Sequence, residues 1–254
     1  MTRIAVVSMK GGVGKTTMTA NLAAALAVKL GPGQVGVLDL DPQNALHLHF
    51  GLGAGVSDGV CRHSLSGLDW REVCFPSQFD VVCLPYGAVS ESEREAFQTL
   101  LSQDPDWVPN QLQRMGLGDQ QVLLIDTPPG PSAYLRQALA CVDVVVVVLL
   151  ADAASYSTVP AMEAWLDDFV AQRPGLKSVY VLNQVDTTVS LNRDVAEVLW
   201  KHLPKRSVLH SVHRDEAVCE ALAYQQPVLN RDPVCRATYD VQRLADWVLD
   251  AAGR

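Results

Sequence analysis

Residues 8–17 read Ser-Met-Lys-Gly-Gly-Val-Gly-Lys-Thr-Thr, which sets Lys10, Lys15 and three glycines within ten positions. Those residue types can hold phosphate. Glycines let the backbone curl until several N–H groups point inward at one anion. The start of a following helix adds free N–H groups and the positive end of its dipole. Lys15 places an ammonium against the outer phosphates, and the Thr16 hydroxyl suits Mg²⁺. Gly11, Gly12, Val13, Gly14 and Thr17 complete the cradle. A general phosphate loop opens with glycine five residues before Gly14. Here that residue is Met9, and Lys10 is an additional lysine.

A phosphate loop works only between a strand and a helix. The apolar run Ile4 to Val7 supplies the strand. The helical pattern from Thr16 to Leu30 supplies the helix, with Leu22, Ala23, Leu26, Ala27 and Leu30 on one face and a stop at Gly31-Pro32-Gly33. Further strands are expected at Val35 to Leu40, Phe79 to Leu84, Val122 to Asp126, Asp143 to Leu150, Ser178 to Leu182 and Val208 to Val212. Helices are expected at Ser92 to Ser102, Asp106 to Met115, Ser132 to Ala140, Ser155 to Ala171 and Val234 to Ala252. This alternation predicts an α/β fold with a mostly parallel central sheet flanked by helices. No repeat, low-complexity segment or linker interrupts it, so residues 1–254 read as one domain. Residues 51–76 carry Gly51, Gly53, Gly55 and Gly59 and read as a surface excursion with a short helix at Trp70 to Cys74.

Two strands end in aspartates, where open α/β sheets bind ligands. Val122 to Asp126 runs into Thr127-Pro128-Pro129-Gly130. Asp126 fits the Mg²⁺ shell through water, because Mg²⁺ sheds its waters reluctantly. Thr127 to Gly130 then reads as a segment that senses the γ-phosphate. The other turn is Asp39-Leu40-Asp41-Pro42-Gln43, whose plainer reading is an Asp-Pro turn.

The loop KGGVGKTT resembles the deviant phosphate loop of the MinD/ParA ATPase family. The resemblance implies a SIMIBI-type phosphate-loop ATPase that hydrolyses ATP with Mg²⁺. It implies a homodimer in the ATP state, with Lys10 reaching onto the partner's nucleotide. It makes Asp39-Leu40-Asp41-Pro42-Gln43 the first switch, with Asp41 positioning the attacking water and Asp39 near the metal. A carboxylate can accept a hydrogen bond from water and orient it in line with the γ-phosphorus. It also implies that Asn183, at the end of a strand, meets the adenine base, since an amide both donates and accepts.

A narrower resemblance lies in His213-Arg214-Asp215-Glu216-Ala217, Glu220-Ala221-Leu222-Ala223 and Gln225-Gln226-Pro227-Val228, and in Pro128-Pro129-Gly130 with Leu135-Arg136-Gln137. These segments look like the BcsQ branch, which is associated with bacterial cellulose synthesis. They imply components of the cellulose synthase complex as partners. The alternative is a ParA-like partitioning ATPase that binds DNA.

The net charge of -8 argues against nucleic-acid binding through overall charge. The concentrated basic stretch is Lys201, His202, Lys205, Arg206, His210, His213 and Arg214, and it reads as a solvated helix end and loop before it reads as a DNA contact. No signal peptide or membrane span is evident, so a cytoplasmic protein is expected, reaching the inner membrane only through a partner. The six cysteines form no C-x-x-C pair, which removes zinc, redox and cluster-carrier readings. His47 and His49 read as loop polarity and not as a metal pair.

Overall fold

The computed structural model describes residues 1–53, 56–203 and 208–254. The strands are β1 (Thr2–Val7), β2 (Val35–Asp39), β3 (Phe75–Pro76), β4 (Val81–Leu84), β5 (Val122–Asp126), β6 (Val144–Leu150), β7 (Lys177–Val185) and β8 (Val208–His213). The helices are α1 (Lys15–Leu30), α2 (Val60–Ser66), α3 (Glu91–Gln103), α4 (Trp107–Met115), α5 (Ala133–Cys141), α6 (Ala153–Ser157), α7 (Val159–Gln172), α8 (Ser190–His202), α9 (Glu216–Ala223), α10 (Val228–Arg231) and α11 (Arg236–Ala251).

The strands form one sheet in the order β3-β4-β2-β5-β1-β6-β7-β8. All the pairings are parallel apart from the short β3 against β4. The central strands are apolar throughout because both faces are covered. Side chains alternate between faces along a strand. Ile4 and Val6 therefore pack with Leu22 and Leu26 of α1 and Leu244 and Val248 of α11. Ala5 and Val7 pack on the other side with Phe97 of α3, Leu112 of α4 and Leu135 of α5. Val144 to Val148 of β6 divide in the same way, and all are fully buried. Each such valine contributes on the order of 1.5–3 kcal/mol relative to exposure.

The order reverses at β1, which lies between β5 and β6. Val6 of β1 pairs with Asp126 of β5, and Asp39 of β2 pairs with the same Asp126. The carboxyl ends of three neighbouring strands thus reach one level of the sheet.

Several boundaries differ from expectation. The single helix expected over Ser155 to Ala171 is two helices that meet at Thr158, because Pro160 stands in the first turn of α7 and has no N–H to continue a preceding helix. In the 51–76 excursion the Trp70 turn is present as a 3-10 helix, and α2 and β3 are added. Ala54 and Gly55 of that excursion lie outside the described residues. β7 runs through Val185, so Asn183 lies within the strand opposite Leu150. Among the described residues no helix is long and apolar enough to cross a membrane.

Candidate functional site

Residues 8–14 bridge β1 to α1. Gly12 has φ 74° and Gly14 has φ 90°, both in the left-handed region that glycine enters without strain. A Cβ at Gly14 would also fall 2.5 Å from Asn183 Nδ2. No side chain caps the start of α1, so its first N–H groups are available to an anion.

Lys15 is buried, and its Nζ donates to Ser8 Oγ at 3.0 Å. Ser8 Oγ donates in turn to Lys10 O at 2.6 Å. Burial lowers the pKa of the Lys15 ammonium, while the charges of Asp126 and Asp41 oppose that shift.

Thr16 Oγ1 donates to Asp126 Oδ2 at 2.6 Å, and Thr19 Oγ1 lies 3.2 Å from Asp126 Oδ1. Asp126 is fully buried, and burial pushes its pKa up to about 6 against the pull of Thr16 and Lys15. A cation beside it would offset that penalty. The hydroxyl and carboxylate are hard oxygen donors of the kind Mg²⁺ takes. Mg²⁺ keeps several waters and is held by few protein oxygens together with phosphate, which a single hydroxyl and carboxylate match.

Asp39 is fully buried next to Asp126, and both its oxygens face backbone donors. Oδ1 accepts from Asp41 N at 2.9 Å and Oδ2 from Leu46 N at 3.2 Å. Burial, and then the Asp126 charge, hold its pKa well above the usual carboxylate range. These bonds fold the acidic turn over the end of β2. Asp41 makes the Asp-Pro turn bond, its Oδ1 accepting from Gln43 N at 3.0 Å. It also stands close enough to Lys15 and Asp126 for its charge to act on both. The turn and the site therefore coexist in this residue.

The Thr127–Gly130 segment is tied to β1 at one point and to the loop at another. Thr127 Oγ1 donates to Val6 O at 2.9 Å, and Gly130 N donates to Ser8 O at 2.9 Å. Lys10 leads away from the loop. Its Nζ lies 2.8 Å from Asp152 Oδ2, and Asp152 also caps α6 by accepting from Ser155 N at 2.6 Å.

A cavity of about 490 Å³ opens beside Gly14 and Thr17 and runs between Asn183 and the β8–α9 segment. Asn183 Nδ2 donates to Val13 O at 2.9 Å, which fixes its amide against the loop. Asn21 holds α10 against α1 along the cavity, accepting from Val228 N at 2.6 Å and donating to Thr17 O at 2.8 Å.

Lys15, Thr16, Asp39, Asp41 and Asp126 thus gather at one end of the sheet, Asn183 borders the adjoining cavity, and Lys10 rests on Asp152. Thr19, Asp152 and Asn21 lie outside the sequence motifs. Asp152 follows the end of β6, and the strand-end rule that found Asp126 would have found it. Thr19 lies one helical turn beyond Thr16, on the face that carries Lys15. His47 and His49, read as loop polarity, are instead both buried on a 3-10 turn. The basic stretch disperses. Lys201 pairs with Glu197 at 2.6 Å, His210 packs on Trp247, His213 bonds Asp240, and Lys205 and Arg206 lie outside the described residues.

The cellulose biosynthesis protein BcsQ of Escherichia coli strain K12 is 31% identical over 243 residues, covering 95% of this chain and 91% of that protein. The chromosome-partitioning ATPase Soj of Thermus thermophilus is 29% identical over 259 residues, covering 97% of this chain and 95% of that protein. The septum site-determining protein MinD of Pyrococcus horikoshii, solved with Mg-ADP, shares the fold with a TM-score of 0.78 at 24% identity, over 99% of this chain and 97% of that chain. Residues 1–249 match the family described as cellulose biosynthesis protein BcsQ, and the chain belongs to that family, within the wider group of MinD/ParA-like folds.

Proposed function

We propose that the chain is a Mg²⁺-dependent ATPase that uses ATP to close a face-to-face homodimer, and that the dimer serves the bacterial cellulose synthesis machinery. The observation that carries the reading is the contact of Thr16 Oγ1 with Asp126 Oδ2 at 2.6 Å, directly behind a glycine loop with a buried Lys15. Thr16 and Asp126 would hold Mg²⁺, which would supply charge neutralisation at the phosphates. The loop N–H groups and the start of α1 bind and orient the ATP phosphates. Lys15 meets their charge from a buried position, where an ion pair is strengthened by the low dielectric. Asp41 orients the attacking water on its free carboxylate oxygen. Asn183 and the adjoining cavity take the base and ribose.

The dimer rests on Lys10, which lies outside the Lys15–Asp126 cluster and would act on the partner subunit's nucleotide. Loss of the γ-phosphate would relax residues 39–43 and 127–130, both bonded to the site's backbone, and weaken the dimer. The chain would work in the cytoplasm and reach the inner membrane through components of the cellulose synthase complex. Similarity to a chromosome-partitioning ATPase keeps non-specific DNA binding as the second reading. Such binding by the ATP dimer would fall steeply with salt.

ATP turnover and sedimentation of Asp41→Ala and Lys10→Ala test the reading. Asp41→Ala is expected to bind ATP, lose at least about 100-fold in turnover and accumulate as a dimer, by analogy with the loss of other groups that stabilise a transition state. Lys10→Ala is expected to bind ATP and remain monomeric. A monomeric Asp41→Ala protein with full turnover would overturn the assignment.

A further inference from the structure

The cavity beside Gly14 contains one side chain with an unusually well-defined hydrogen-bonding character. His213, at the end of β8, lines it. Its Nδ1 lies 2.7 Å from Asp240 Oδ2, and the same oxygen accepts from His213 N at 3.0 Å. Asp240 belongs to α11 and its side chain is only 9% exposed, against 15% for His213. An ionised carboxylate only accepts, so the ring proton shared with it sits on Nδ1. In the singly protonated ring, Nε2 is then a bare acceptor. Among the described residues Nε2 has no partner.

Asn183 borders the same cavity. One donor of its amide is committed to Val13 O, which leaves its second N–H and its carbonyl oxygen for a ligand. The bare Nε2 of His213 suits an exocyclic amino group, and it opposes a carbonyl oxygen at the same position, since two lone pairs would then face each other.

The geometry points to His213 as a base-selecting residue, held by Asp240 so that Nε2 accepts from the 6-amino group of adenine and disfavours the 6-oxo group of guanine. The inference rests on the reading that this cavity takes the base. His213 acts by contact with the base, and Asp240 is a positioning residue that acts through His213.

Binding of ATP, GTP, 2′-deoxy-ATP and purine riboside triphosphate, which lacks the 6-amino group, tests the assignment. The wild-type chain is expected to prefer ATP over purine riboside triphosphate by about 5–10-fold, the effect of one neutral hydrogen bond. His213→Phe keeps a ring but removes the acceptor, and should reduce that preference by about fivefold. His213→Gln retains an acceptor and should restore it. The 2′-deoxy-ATP ratio should stay constant across the three proteins. Its change in place of the purine ratio would assign His213 to the ribose and overturn the proposal. A purine ratio unchanged by His213→Phe would also overturn it. If that variant fails to fold, equal wild-type affinity for ATP and purine riboside triphosphate does so without it.

Cys219 gives an independent reading of the cavity, because it is exposed and lines the same space. ATP should protect it from maleimide, as read by peptide mass. Absence of protection would mean that the base lies elsewhere, and both readings fail. Protection with an unchanged purine ratio removes the role of His213 alone.

Discussion

The ammonium of Lys10 sits 2.8 Å from Asp152 Oδ2, 142 residues further along the chain. This pair joins the phosphate loop to the start of α6, across the end of β6. Each side chain is about one-third exposed, at 33% and 39%. Solvent screening therefore limits the pair to about 1 kcal/mol or less. If Lys10 serves a partner's nucleotide, it must leave Asp152 to do so. Asp152→Asn removes the charge but can still cap α6. Two such pairs open per homodimer, so sedimentation with ATP should then show half-maximal dimerisation at up to about 30-fold lower protein concentration, the factor that about 2 kcal/mol allows. ADP should produce no dimer in either protein. Identical dimerisation curves in ATP would show that Asp152 does not compete for Lys10.

Gly12 and Gly14 share a left-handed backbone but not their surroundings. A Cβ at Gly12 meets nothing within 4 Å, while one at Gly14 meets the Asn183 amide at 2.5 Å. Gly12→Ala therefore carries backbone strain alone, about 1–2 kcal/mol. Gly14→Ala must also displace Asn183 from Val13. Calorimetric titration with ATP should show a loss about tenfold or more greater for Gly14→Ala than for Gly12→Ala. Equal losses would mean that Asn183 can move aside without consequence.

The phosphate loop, Asp126 and the acidic turn were legible in the sequence because each is a short run of neighbouring residues. Strand ends bring such runs together, and strands buried on both faces announce themselves as apolar runs such as Val144 to Val148. The remaining contacts join residues distant in sequence. Asp240 is buried against His213 from another element, and no short motif contains the pair. Asn21 looked like an ordinary helix residue, and its partner Val228 lies 207 positions away. Nothing local marks either residue. Pro160 did mark the break between α6 and α7, but the apolar spacing around it suggested one continuous helix.

Burial of His49 gives the fold an acid sensitivity of defined sign. The ring is 4% exposed on the 3-10 turn that follows the acidic turn, and burial alone lowers its pKa from 6.5 to about 4. The folded state therefore binds fewer protons than the unfolded state between those two values. Stability from this group is complete above pH 6.5 and is lost as pH falls toward 4. By pH 5 the loss amounts to about 2 kcal/mol. Asp126 is shifted upward and acts in the opposite direction, so total stability does not isolate the effect. His49→Gln removes the titration and leaves Asp126 in place. Denaturant unfolding at pH 7.5 and pH 5 should show a fall in stability about 2 kcal/mol larger in the wild type than in this variant. An equal fall in the two proteins would mean that His49 accepts a proton without unfolding, and that the turn carrying it opens to water in the native state.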